Sequence, residues 1–288
     1  MAGSRVASTL RLLVLDAYAR EGRQELRRAG VSEAGALYAS VLLSLEPDAQ
    51  VEVGFPADAD WQPPSGSGLA DWHGAVWTGS SLTIHDEADP RVRRQVELAR
   101  RLYQQGVPCF GSCWGIQLAA MSAGGACARN PRGREFGISR KITLGPEAGE
   151  HPLFAGKPQV FDALTSHQDE VVRLPAAARL LASNRFSRVQ ALVLEEGRSS
   201  FWAVQYHPEY DLGEVARLSR VRAAGLIAEG SFRDGKAAEA WSERLLALDA
   251  DPQRRDLAFE LGVDEDVLDP ALRRCELRNW LEQRVRRS

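Results

Sequence analysis

Residues 107–117, Val-Pro-Cys-Phe-Gly-Ser-Cys-Trp-Gly-Ile-Gln, read as a short buried strand, an abrupt turn and the start of a helix. Small residues stand two places either side of Cys113, at Gly111 and Gly115. A strand-to-helix turn that holds a nucleophile in a strained conformation needs that room. The helix expected over residues 114–123 turns its free amides and positive dipole end toward Cys113, which favours a thiolate there. The Trp114 N–H then becomes a candidate oxyanion donor. Taken alone, the same five residues also fit a tight turn around a buried, inert cysteine.

The second informative stretch is residues 201–209, Phe-Trp-Ala-Val-Gln-Tyr-His-Pro-Glu, an apolar run that reads as a strand ending on His207, Pro208 and Glu209. A cysteine nucleophile needs a base to take its proton and later protonate the leaving group, and that base needs a third group to orient it. His207 and Glu209 suit these roles, and Pro208 limits how far they drift apart. His167 rivals His207 on composition alone, but only His207 has an acid two residues away across a proline.

Together, Gly111-Ser-Cys113-Trp-Gly115-Ile-Gln117 and His207-Pro-Glu209 resemble the class I glutamine amidotransferases, whose triad is an elbow cysteine with a histidine and a glutamate from His-Pro-Glu. Thr165-Ser-His-Gln-Asp-Glu-Val171 is similar to a segment of the amidotransferase domain of GMP synthase and its stand-alone relatives. The resemblance covers residues 10–230. It implies a flavodoxin-like amidotransferase fold and a triad of Cys113, His207 and Glu209. It also makes Gly79, in Thr-Gly-Ser after a short strand, the second oxyanion donor. Gln117, Ser166 and His167 fall where the family holds the amino-acid end of glutamine. Each has an ordinary alternative: Gly79 as a flexible turn, Gln117 as a helix-surface residue, Ser166 as a helix cap.

Before that elbow, residues 10–18 read as a central strand, 20–28 as a charged helix, and 34–45 as a helix capped by Ser32 with Leu37, Tyr38, Val41 and Leu42 toward a core. Residues 51–55 and 75–78 are strands, 56–68 a surface loop and 90–103 a helix. This α/β order predicts a three-layer, mostly parallel sheet flanked by helices, with ligands bound beyond the carboxyl ends of its strands. Residues 124–136 read as a loop bordering the site. Its Arg132 and Arg134, with Arg140 beyond, are candidate receptors for a substrate carboxylate, set against the ordinary solvated state of surface arginines. Residues 137–144 and 159–164 read as a smaller antiparallel region, and 178–184, 191–196 and 201–206 complete the strands, the last two joined by a hairpin turn containing Gly197.

Residues 1–232 are expected to form the amidotransferase domain and 233–288 a helical C-terminal extension. Trp241 and Trp280 argue that this extension is ordered, and its apolar face suits packing on the body or a partner chain.

The chain has 288 residues, of which 44% are hydrophobic and 26% charged, enough for a substantial core, and its net charge of −3 points to neither nucleic acid nor an anionic membrane. No apolar run reaches the length of a signal core or membrane span, which places the protein in the cytoplasm. Four cysteines without a Cys-x-x-Cys pair argue against disulfides and structural zinc, so Cys109, Cys127 and Cys275 carry no role. His85, Asp86 and Glu87 read as solvated loop residues rather than a metal site. No metal or cofactor is expected.

The expected reaction is hydrolysis of the side-chain amide of L-glutamine through a cysteine thioester. An ammonia-accepting synthase would be a separate chain, since this one has neither Gly-x-x-x-x-Gly-Lys nor a Ser-Gly-Gly-x-Asp-Ser nucleotide loop. One alternative is a stand-alone γ-glutamyl peptidase acting on γ-glutamyl amides. The other is a binding or regulatory protein that no longer turns over.

Overall fold

Four branched, apolar residues follow Arg11 and form a central strand, β1 (Arg11–Leu15), whose side chains alternate between two cores. The computed structural model describes residues 9–63 and 68–287. Residues 1–8, on which the expectation of no signal segment falls, and residues 64–67 of the expected surface loop lie outside the described residues. In chain order β1 is followed by α1 (Arg20–Arg28), α2 (Ala34–Leu45), β2 (Gln50–Gly54), β3 (Gly74–Trp77), α3 (Pro90–Gln104), β4 (Cys109–Ser112) and α4 (Trp114–Ser122). Then come β5 (Ala126–Arg129), β6 (Glu135–Leu144), β7 (Val160–His167), β8 (Asp169–Arg173), β9 (Ala178–Ser183), β10 (Ala191–Glu196) and β11 (Ser199–Val204). The helices α5 (Leu212–Val221), α6 (Ala223–Ala228), α7 (Gly235–Ala250), α8 (Arg255–Leu261), α9 (Glu265–Leu268), α10 (Pro270–Arg273) and α11 (Cys275–Trp280) close the chain, with a π-helical turn at Leu281–Val285.

The large sheet runs β2-β1-β3-β4-β11-β10-β9-β6-β7. Its first five strands pair parallel, and the pairs from β11 onward are antiparallel. The region expected to form a smaller antiparallel unit is therefore a continuation of the same sheet, joined through β9, β10 and β11. Leu13, Ala75, Cys109 and Phe201 face a core with residues of α3 and α4, while Leu12, Val14, Val76, Phe110 and Trp202 face α2 and α11. This is the expected layered α/β architecture. A third core gathers α5, α7 and α8 around Leu164 and Tyr210 near the carboxyl ends of the strands.

Two local readings are corrected. The cap of α2 is Glu33, which makes no side-chain cap bond, while the Ser32 hydroxyl donates to Glu214 at 3.0 Å, a contact across 182 residues that no local pattern shows. The expected loop at 124–136 contains β5, which pairs with β8 in a separate two-stranded sheet. By contrast α3 starts as its sequence dictates: Pro90 occupies the first turn and Asp89 accepts from the Arg91 N–H at 2.8 Å.

The C-terminal helices pack on the body. Trp280 is fully buried against Phe110, ring centroids 6.0 Å apart. A methyl group on Gly74 would lie 2.8 Å from the Trp280 ring, so β3 carries glycine where the tail's indole presses on the sheet. Among the described residues no helix is long and apolar enough to cross a membrane.

Candidate active site

The turn between β4 and α4 is built from close backbone contact. A Cβ on Gly111 would sit 2.7 Å from Gly115 Cα, and one on Gly115 would sit 3.1 Å from the Trp77 carbonyl. Gly111 is thus required by approach distance, a side chain on Gly115 would press on the Trp77 backbone, and neither glycine has a positive φ. Cys113 itself carries the strain, with φ +53° and ψ −98°, a region costing about 1–3 kcal/mol for a residue with a side chain. Its N–H bonds the Val204 carbonyl at 2.9 Å, which locks the turn to β11, and its thiol faces the Ser166 carbonyl at 3.6 Å.

Because β11 lies beside β4, the segment that follows it brings His207 and Glu209 to the same sheet edge. His207 Nδ1 lies 2.6 Å from Glu209 Oε1, both side chains buried. Ser112 donates to the same Glu209 oxygen at 3.2 Å and accepts from the Tyr38 hydroxyl at 2.7 Å, so the carboxylate is held by α2 and β4 as well. His207 also stacks on Tyr210, ring centroids 3.9 Å apart, and its N–H bonds the Leu164 carbonyl. Burial alone would push the imidazole down. The Glu209 carboxylate and the Cys113 side chain outweigh burial and push it up to about 9. A strained cysteine, a histidine beside it and a carboxylate orienting that histidine can pass one proton back and forth in nucleophilic acyl transfer.

Gly79 adjoins the pair: a methyl group there would lie 3.0 Å from His207 Cε1 and 3.9 Å from Cys113 Cβ. Trp114 begins α4 immediately after Cys113, its indole N–H donating to Gln95 at 3.0 Å. A cleft of about 370 Å³ opens over Cys113, and Trp114, Gln117, Ser166 and His167 line it. Gln117 is buried rather than on a helix surface, and its amide donates to the Asp169 carbonyl at 3.0 Å. Ser166 lies at the end of β7 and does not cap a helix.

His167 proves to have an acid of its own. Its Nε2 lies 2.8 Å from Glu135 and its Nδ1 3.0 Å from the Asp169 carbonyl, a pairing across 32 residues invisible in the sequence. Burial alone would raise the Glu135 carboxyl, but His167, Asn184 and Ser139 hold it below the usual carboxylate range. Among the candidate arginines, Arg134 lines the cleft but is paired with Glu229 at 2.9 Å. Arg132 donates to the Phe186 carbonyl, and Arg140 bonds Asp162 and the carbonyls of Leu261 and Gly262. The arginine that sequence reasoning missed is Arg222, at the junction of α5 and α6, which lines the cleft and bonds Ser166 and Tyr18. It lies 109 residues from Cys113 inside a helical stretch, with no local signal to single it out.

His85 faces Asp169 at 3.4 Å, and among the described residues no three His, Cys, Asp or Glu side chains converge on a metal position.

A family model described as glutamine amidotransferase class-I matches residues 86–218. A γ-glutamyl-L-1-hydroxyisopropylamide hydrolase from a Pseudomonas species is 32% identical over 282 residues, covering 96% of this chain and 93% of that protein. The chain belongs to the class-I glutamine amidotransferase family. As such it is a cysteine-dependent amide hydrolase. A GMP synthase from Symbiobacterium thermophilum is 30% identical over 136 residues, 47% of this chain but only 24% of that protein. The crystal structure of a glutamine amidotransferase from Thermotoga maritima shares the fold, with a TM-score of 0.67 at 16% identity and coverage of 96% and 98% of the two chains.

Proposed function

We propose that this family member is a self-sufficient γ-glutamyl amide hydrolase, for which L-glutamine is the smallest substrate. The observation that carries the reading is the buried His207–Glu209 contact of 2.6 Å beside strained Cys113. Whole-length similarity to a γ-glutamyl-L-1-hydroxyisopropylamide hydrolase, which extends through the C-terminal helices, supports a larger amine as leaving group.

In the proposed mechanism His207 accepts the Cys113 thiol proton and the sulfur attacks the γ-carbonyl carbon. The amides of Gly79 and Trp114 stabilise the oxyanion, each contributing about 3 kcal/mol. The C–N bond breaks as His207 returns its proton to the departing amine. Water then attacks the thioester, His207 takes its proton, and glutamate leaves as the thiol re-forms. Glu209 orients the imidazole throughout. Gln117, Ser166 and His167 shape the glutamyl pocket. Residues 1–232 carry this chemistry as the amidotransferase domain, and residues 233–288 complete its core as a helical extension.

A second reading is a glutaminase that passes ammonia to a separate synthase chain, and the match to GMP synthase favours it. Release of amine and glutamate from a panel of γ-glutamyl amides beside L-glutamine, with Cys113→Ala as the blank, separates the two. Preference for an alkylamide or peptide supports the hydrolase. Preference for glutamine supports the synthase-linked reading. No Cys113-dependent turnover of either sinks both.

A further inference from the structure

Of the two arginines lining the cleft, Arg134 is neutralised by Glu229, whereas Arg222 has no carboxylate partner among the described residues. Its guanidinium is half-buried and bonds only neutral hydroxyls, Ser166 Oγ and, at 3.1 Å, Tyr18 Oη. A guanidinium carries five donors in a planar fork, so these two bonds leave donors free toward the cleft. Partly desolvating a cation without an anion is costly, and a structure that does so beside its nucleophile is matched to an anionic ligand.

The arrangement is built rather than incidental. Tyr18 is fixed by its N–H on Asp16 at 3.1 Å and its carbonyl on Arg23 at 2.6 Å. The helix α5, whose C-cap is Arg222, is held by α7, whose Ser242 donates to the Ala216 carbonyl at 3.1 Å. Ser166 touches both centres, with its hydroxyl on Arg222 and its carbonyl 3.6 Å from Cys113 Sγ. The carboxylate end and the reacting carbonyl of a glutamyl group are separated by three carbons, a span that suits two centres on opposite sides of one residue.

We propose that Arg222, oriented by Tyr18 and Ser166, receives the α-carboxylate of the γ-glutamyl substrate. The assignment rests on the γ-glutamyl reading above and adds the residue that selects glutamyl over other acyl amides. It also gives the C-terminal extension a part in substrate selection, since α7 backs the helix that presents Arg222.

The test compares γ-glutamyl-p-nitroanilide with 4-aminobutyryl-p-nitroanilide, which lacks the α-carboxylate, in the full-length wild type, Arg222→Gln, Arg222→Lys and Tyr18→Phe. The wild type should favour the glutamyl compound, Arg222→Gln should lose roughly 10- to 100-fold in kcat/KM on it alone, and Arg222→Lys should recover part of the loss. A parallel readout needs no turnover: L-glutamate should slow iodoacetamide alkylation of Cys113 in the wild type but not in Arg222→Gln, and 4-aminobutyrate should do so in neither. The unprotected alkylation rate and thermal melt of each variant report whether its site is folded. If folded Arg222→Gln keeps the glutamyl preference, or glutamate still protects it, the assignment is wrong while the hydrolase reading stands. If no amide turns over yet protection depends on Arg222, the reverse holds.

Discussion

The Tyr206 hydroxyl donates a 2.5 Å hydrogen bond to Glu276, which ties the residue before His207 to the C-terminal helices. Lys157 reaches the same carboxylate at 3.1 Å, and both members of this ion pair are buried. Burial and the Glu276 charge push the Tyr206 hydroxyl well above its ordinary range, so it remains a donor. The segment carrying His207 is thus anchored by β11, which immediately precedes it, and by the C-terminal helix α11.

Glu276→Ala leaves the Lys157 ammonium buried without its anion and should destabilise the protein by about 3–5 kcal/mol, read as a lower urea midpoint. Glu276→Gln should cost less, since it still accepts from Tyr206. A change within error for the alanine variant would mean water reaches Lys157 readily.

A chain ending at residue 232 should fail to fold on its own. It would expose Phe110 and neighbouring sheet side chains now covered by Leu277, Trp280 and Leu281. Expression of residues 1–232 followed by near-UV circular dichroism and a denaturant titration checks this, and a cooperative transition at wild-type stability would show the extension to be dispensable.

Glu209→Gln should lower kcat on the order of 10²- to 10⁴-fold with little change in KM, because the substitution keeps the shape but loses the charge that orients and stabilises the imidazolium. Steady-state kinetics decide, and equal activity would remove Glu209 from the proposed triad.

Gly79→Ala places a methyl group 3.0 Å from His207 Cε1. The expected outcome is a fall in kcat of at least tenfold with a melting temperature close to wild type, since His207 must move while the sheet need not. A large loss of stability instead would show that the turn, rather than the reacting pair, needs the glycine.

His207 is pushed up to about 9 in the folded protein, above the ordinary 6.5. Its charged form is therefore favoured by folding, with the stabilisation fully present below about pH 6.5 and lost as pH rises through about 9. The same proton is the one the departing amine needs, so kcat/KM should decline on an alkaline limb near pH 9. A pH–rate profile, with unfolding midpoints across the same range, checks both signs; a limb near pH 6.5 would show that Glu209 does not hold the imidazole charged.

The legible part of the molecule is the part whose partners are near in sequence. Cys113 is recognisable because its two glycines flank it, and His207 because Glu209 follows across one proline. Strand and helix positions before the elbow follow from apolar periodicity. The cap of α2 was not legible, because Ser32 is engaged by Glu214 from a distant helix. Nor was β5, whose short Ala-Cys-Ala-Arg strand is specified by pairing with β8 rather than by its own composition.

By itself, then, the sequence determined the layered α/β class, the elbow and the two residues that face it from one short motif, since each depends on local periodicity or fixed spacing. Only the tertiary structure decided which cleft arginine has no carboxylate partner among the described residues. Arg132, Arg134, Arg140 and Arg222 are the same residue type, and what separates them is whether Glu229, Asp162 or a backbone carbonyl arrives from elsewhere in the fold to occupy the guanidinium. Partner choice among identical charges is a long-range property, set by how α5, α6 and β7 converge over Cys113.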